Sequence, residues 1–260
     1  WCCEVPQSLD MPTVRVLSEN MEFETPFGVT APLKLLELDA SITADHEPRR
    51  VIFAPVHGCS IEGVETPQDD NHSERLFWLL KQAGVRYILS DGSGGGINPL
   101  MEPGDMIIPH DFIDFTKREG RANSLADGCI LRMRDAICPD LRKVLCTAAE
   151  KEYRRVFRRG VYAVTDLARF ESPAEVQMLY NLHCDICAQS LMPEVANARA
   201  IGACWAGLYI VSNFAEGINP DWETPLFDLY GDCAVKIGRL MLNAVASIDP
   251  SVMDCHCVEY

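Results

Sequence analysis

The 260-residue chain contains no apolar run close to the roughly 20 residues that a membrane-spanning helix needs. It shows no signal-like segment either, so neither a span nor a secretory route is expected. Positive charge is scarce: 23 Lys and Arg stand against 38 Asp and Glu, a formal net charge of −15. A phosphate backbone is repelled overall by such a protein, and nucleic acid is not an expected partner. Repeats, low-complexity tracts and a linker-like stretch are missing too. Apolar residues, by contrast, make up 48% of the chain, enough for a real core and too many for disorder.

Cysteine is abundant, with twelve in the chain. Most of these residues (Cys129, Cys138, Cys146, Cys184, Cys187, Cys204, Cys233) fall in segments expected to be buried, where a free thiol packs as a small hydrophobe. Cys184-x-x-Cys187 has metal or redox spacing, but it sits in an expected strand without a second pair at zinc spacing, so its reading is structural. Cys255-x-Cys257, and Cys2-Cys3 at the start, offer places for oxidation or an adventitious metal. No function is built on them, no metal or organic cofactor is expected, and the expected setting is a reducing cytoplasm.

Strand and helix signals alternate along the chain, which points to one α/β domain over residues 1–260. Thr25-Pro26-Phe27-Gly28 is turn chemistry. Leu33 to Leu38 reads as a strand, Asp45 to Arg50 as a polar loop, and Val51 to Ala54 as a short strand ending at His57. Apolar spacing predicts a helix over Ser73 to Gln82, closed by Gly84. Tyr87-Ile88-Leu89 is a strand that runs into Asp91-Gly92-Ser93-Gly94-Gly95-Gly96. That glycine stretch has two readings of equal standing, a nest of backbone N–H groups for an anion or a flexible turn. A helix is expected over Asp140 to Phe157 and a strand over Val161 to Val164. Ser172-Pro173-Ala174-Glu175 is a capping box with proline at the first helical position. Pro193 opens another helix, Leu208 to Phe214 is a strand that stops on an amide, and Asp228 to Ser247 is a long C-terminal helix.

Taken in order, the motifs resemble the trimeric purine nucleoside phosphorylase and methylthioadenosine phosphorylase family over nearly the whole chain. The matching residues are Thr25-Pro26-Phe27-Gly28, His57-Gly58, Gly95-Gly96-Ile97-Asn98-Pro99 and Pro103-Gly104-Asp105. They continue with Asp111-Phe112-Ile113-Asp114, Arg169 to Glu175, Met192-Pro193-Glu194-Val195 and Val211-Ser212-Asn213. The resemblance implies a nucleoside phosphorylase-like fold with a central mixed sheet flanked by helices. It also implies a homotrimer that transfers a ribosyl group from a purine to phosphate as co-substrate. Phe170 matches the family's aromatic wall against the base, and Glu171 with Asn213 matches the pair that meets a 6-oxopurine. His57, Gly92, Ser93 and Ser190 match the phosphate side and Gln189 the ribose side. Asn213, Glu171 and His57 are the residues expected to carry the chemistry.

The anion side departs from the family pattern. Trp1 to Leu9 contains no glycine, where the family has a Gly-rich loop, and Val56 stands where an arginine is usual. Valine cannot replace a bidentate phosphate donor. Gln189 stands in place of the methionine under the ribose, and Asp91 puts negative charge beside the glycines. Three readings therefore compete: a phosphorylase of inosine, guanosine or methylthioinosine type, a phosphate-independent nucleosidase, and a non-catalytic purine binder.

Overall fold

The computed structural model describes residues 9–55, 72–116, 125–126, 128–166, 169–219 and 226–257. Its centre is a mixed seven-stranded sheet, joined by a three-stranded antiparallel sheet and a small hairpin. The antiparallel sheet has the order β1 (Val14–Met21), β4 (Leu33–Leu38), β5 (Arg49–Phe53). The hairpin, β2 (Glu24–Thr25) and β3 (Gly28–Val29), turns at the expected Pro26-Phe27-Gly28, where Gly28 takes a φ of 112° that other residues resist. The strand expected from Val51 begins two residues earlier, inside the expected polar loop. Arg49 is tolerated there because its guanidinium reaches the Val245 carbonyl at 2.5 Å and the Asp45 carboxylate at 2.7 Å.

The seven-stranded sheet runs β8 (Asp111–Asp114), β10 (Val161–Val164), β11 (Ile186–Ala188), β6 (Tyr87–Gly96), β12 (Cys204–Phe214), β7 (Met106–Ile107), β9 (Val156–Phe157). β6 and β12 run parallel along almost their whole lengths, with Cys204 opposite Tyr87 and Phe214 opposite Gly96. β11 lies antiparallel on the other side of β6. The glycine stretch of β6 is therefore neither a nest nor a turn but strand. None of Gly92, Gly94, Gly95 or Gly96 has a positive φ. Their role is close approach: a Cβ on Gly94 would lie 2.8 Å from the Cys187 carbonyl oxygen, and one on Gly92 would lie 2.9 Å from the Tyr209 ring.

Five helices are present among the described residues: α1 (His72–Gln82), α2 (Pro139–Glu152), α3 (Pro173–Asn181), α4 (Glu194–Ala200) and α5 (Leu226–Ala246). The helix expected from Asp140 to Phe157 stops at Glu152, because Tyr153 goes extended and Val156–Phe157 pairs with Met106–Ile107 as β9. Here a strand partner distant in sequence overrides local helical spacing. α3 begins as the capping box requires. The Ser172 hydroxyl accepts from the Glu175 N–H at 3.3 Å, and the Glu175 carboxylate accepts from the Ser172 N–H at 2.7 Å. Trp205, Tyr209 and Tyr162 are buried with Leu141, Leu145 and Leu240 in one core between the sheet and its helices. No helix among the described residues is long and apolar enough to cross a membrane.

Candidate active site

A cleft of about 430 Å³, part of it open to solvent, lies where β6, β11 and β12 meet the start of α3. Phe170 and Glu171, adjacent in sequence, and the distant Asn213 all line it, together with Ser93 and Gln189. The chemistry of each wall follows from its local structure.

Phe170 and Glu171 sit in the short segment ahead of α3. Arg169 clamps that segment by pairing with both carboxylate oxygens of Glu175, at 2.7 and 2.8 Å, while donating to the Phe170 carbonyl at 3.0 Å. The hydrogen bonds from Arg169, and then those from Ser172, hold the Glu175 carboxyl down to about 2. The capping carboxylate is thus ionised at any ordinary pH. Phe170 is 56% exposed at the mouth of the cleft.

Glu171 lies deeper, only 9% exposed. Its Oε1 accepts from the Thr165 hydroxyl at 2.5 Å and its Oε2 from the Cys187 thiol at 3.4 Å. Burial first, and the Glu171 charge second, push the Cys187 thiol well above its ordinary range, so Cys187 stays a donor. Two donors aimed at opposite oxygens suit an ionised carboxylate, which accepts and never donates. Lone pairs remain on both oxygens for a donor arriving from the cleft.

Asn213 is placed by an irregularity of β12. Val211 pairs with Gly94 and Asn213 with Gly95, so Ser212 is an extra residue in the ladder, a bulge that re-aims its neighbour. The Ser212 hydroxyl donates to Asn213 Oδ1 at 2.7 Å, and Asn213 Nδ2 donates to the Phe214 carbonyl at 2.9 Å. A Cβ on Gly95 would lie 3.3 Å from Asn213 Nδ2, so the missing side chain leaves room for the amide. The amide retains a second N–H and a second acceptor lone pair. A flat heterocycle between Phe170 and this edge can meet an aromatic face, a carboxylate and an amide together.

Ser190 and Gly92 come together beside the cleft, with Ser190 Oγ 3.0 Å from where a Gly92 Cβ would stand. Ser190 N–H donates to the Tyr162 phenol at 3.3 Å. Ser190 faces a second, larger cavity that is also lined by Asp91 and Glu194. Burial and then the neighbouring Tyr162, Glu194 and Asp91 push the phenol of the buried Tyr209 well above its ordinary value, so it stays protonated. His57 and Val56 lie outside the described residues. Thr165, Cys187 and Ser212 were not singled out for the site from sequence. Thr165 directly follows β10, six residues before Glu171, which was a usable signal, whereas nothing local marks a thiol as a carboxylate partner.

Other sulfur ligands gather elsewhere: among the described residues, Cys138, Cys204, Cys255 and Cys257 converge at the opposite end of β12 from Asn213.

Residues 48–239 match the family model described as "Phosphorylase superfamily". The chain is 32% identical over 238 residues to a probable S-methyl-5'-thioinosine phosphorylase of Methanopyrus kandleri, covering 90% of this chain and 87% of that protein. It is 30% identical over 246 residues to a probable 6-oxopurine nucleoside phosphorylase of Thermococcus kodakarensis, covering 90% and 86%. Its fold matches the structure of methylthioadenosine phosphorylase from Schistosoma mansoni in complex with adenine, with a TM-score of 0.74, 21% identity, and 90% and 87% of the two chains covered. With a convergent cleft, a mixed sheet of the same architecture and these matches in hand, the chain belongs to the phosphorylase superfamily.

Proposed function

We propose that the chain is a purine nucleoside phosphorylase that cleaves the N-glycosidic bond of a 6-oxopurine nucleoside, of inosine, guanosine or methylthioinosine type, with phosphate as acceptor. One observation carries the reading: Phe170, Glu171 and Asn213 line a single cleft. Glycosidic cleavage leaves positive charge on the sugar and negative charge on the purine, so catalysis requires donors where the base becomes negative. The second N–H of Asn213 is such a donor for O6 or N7. The Glu171 carboxylate accepts the N1–H that a 6-oxopurine carries. Adenine presents a lone pair at N1 instead, which a carboxylate repels. The names of two relatives, a probable S-methyl-5'-thioinosine phosphorylase and a probable 6-oxopurine nucleoside phosphorylase, fit this preference.

On the sugar side the reading assigns Gln189 to the ribose and His57, Gly92, Ser93 and Ser190 to phosphate, within a homotrimer in the cytoplasm. Water as acceptor is the second reading, favoured by the carboxylates of Asp91 and Glu194 that share a cavity with Ser190. Both are separated by incubating the chain with inosine, guanosine, methylthioinosine and adenosine, with and without phosphate, and measuring free base. Release from the 6-oxopurine nucleosides only with phosphate supports the proposal, and equal release without phosphate supports hydrolysis. No release from any of them overturns the enzymatic reading.

A further inference from the structure

We infer that Cys138, Cys204, Cys255 and Cys257 form a tetrathiolate site for one zinc ion, which fastens the C-terminal segment to the sheet. The four Sγ atoms all lie within 4.8 Å of one another, and Cys204 Sγ stands 3.4 Å from Cys255 Sγ. Zinc–sulfur bonds of about 2.3 Å at tetrahedral angles put sulfurs roughly 3.8 Å apart, inside that spread. Each sulfur approaches the other three, as a common central ion requires; two independent disulfides require only two close pairs.

The ligands come from three separate parts of the fold. Cys138 precedes α2, Cys204 opens β12, and Cys255 and Cys257 follow α5. Cys138, Cys204 and Cys257 are buried and Cys255 half-buried, which leaves an entry side at the chain terminus. The surroundings suit anionic sulfur. Cys138 Sγ accepts from the Leu141 N–H at 3.5 Å, at the positive end of α2. The buried guanidinium of Arg199 donates to the Cys257 carbonyl and to those of Arg134 and Asp135, at 3.0 and 2.8 Å for the last two. One cation thereby holds both loops that frame the cluster and offsets part of its charge. Such outer-shell contacts orient the ligands of metal sites. Cys204 and Asn213 sit near opposite ends of one strand, about 30 Å apart at 3.3 Å per residue. The ion is therefore structural, without a part in glycosidic chemistry.

The test uses the full chain expressed in zinc-supplemented medium and purified under reducing conditions without chelator. Elemental analysis is expected to give about one zinc per chain, retained through dialysis. Replacement by Co(II) is expected to give a thiolate charge-transfer band and the d–d absorption of a tetrahedral site. Cys255→Ser, at the half-buried position, and the double variant Cys255→Ser/Cys257→Ser are expected to lose the metal and melt at lower temperature. Tight chelation should lower the wild-type melting temperature toward theirs. The inference is overturned if the folded wild type holds no zinc, whether its thiols are free or paired as disulfides. It is equally overturned if the folded double variant keeps a full equivalent. Cys129→Ser, outside the cluster, is expected to retain the metal.

Discussion

Replacing Glu171 by glutamine tests the base-reading argument most directly. The change keeps the shape of a side chain that is only 9% exposed, and it substitutes an NH₂ for one oxygen. Thr165 and Cys187 each donate to a different carboxylate oxygen, so in Glu171→Gln one of them faces a donor instead of an acceptor, or the amide turns its NH₂ toward the base. Either way the charge-assisted hydrogen bond to the purine N1–H is lost. Hydrogen bonds to charged groups are worth about 1.5–3 kcal/mol. At about 1.36 kcal/mol per factor of ten, kcat/KM for inosine should fall roughly 10- to 150-fold. Adenosine, which gains nothing from the carboxylate, should lose much less, so the ratio of the two nucleosides should collapse toward one. The assay is initial-rate release of free base for both nucleosides, paired with thermal melting to confirm folding. Wild-type kcat/KM for inosine in a folded Glu171→Gln variant, within twofold, would refute the reading of this carboxylate.

Three further outcomes are expected. Asn213→Asp supplies a carboxyl that can protonate N7, and it should lower the preference for inosine over adenosine by at least about tenfold, since polar groups left without their partner dominate discrimination; competition kinetics with the two nucleosides would show it. Phe170→Ala truncates a residue that is 56% exposed, so melting should barely move. The loss of base stacking, about 1–3 kcal/mol, should instead raise KM roughly 5- to 150-fold. Stability should also fall on the alkaline side: burial first, and Asp185 second, push the Cys184 thiol up to about 11 from the ordinary 9.0, and burial and then Glu171 raise the Cys187 thiol as well. Above pH 9 the unfolded chain releases these protons while the folded chain keeps them, so their contribution is whole below pH 9 and is lost as pH rises. Melting curves between pH 7 and 10.5 check this, and a flat profile would contradict it.

The parts of the site that were legible in the sequence are those defined by short-range chemistry. Phe170 and Glu171 could be placed because a capping box two residues on fixes where α3 starts and what precedes it. Asn213 could be placed because a β-branched run ends on it. The Ser212 bulge was not legible, since a run such as Val211-Ser212-Asn213-Phe214 carries no mark of which residue leaves the ladder. Neither reading of Asp91 to Gly96, anion nest or flexible turn, matches the strand, for a related reason. Glycines signal turns when the chain bends, but here they relieve crowding from Tyr209 and Ile186, whose positions are settled only by tertiary packing. Cys255-x-Cys257 offered a place for an adventitious metal and Cys138 and Cys204 read as core thiols, but that the four converge exists in space and not along the chain.

The bare stretch of β6 has an evolutionary and engineering consequence. A methyl group at Gly94 would enter as a wedge against the backbone of β11, and one at Gly92 against the face of Tyr209. The first would prise Cys187 away from Glu171 and so loosen the wall of the cleft that is proposed to read the base. One added carbon atom at either position forces its neighbours to move, so design efforts aimed at altering the base preference should keep both glycines.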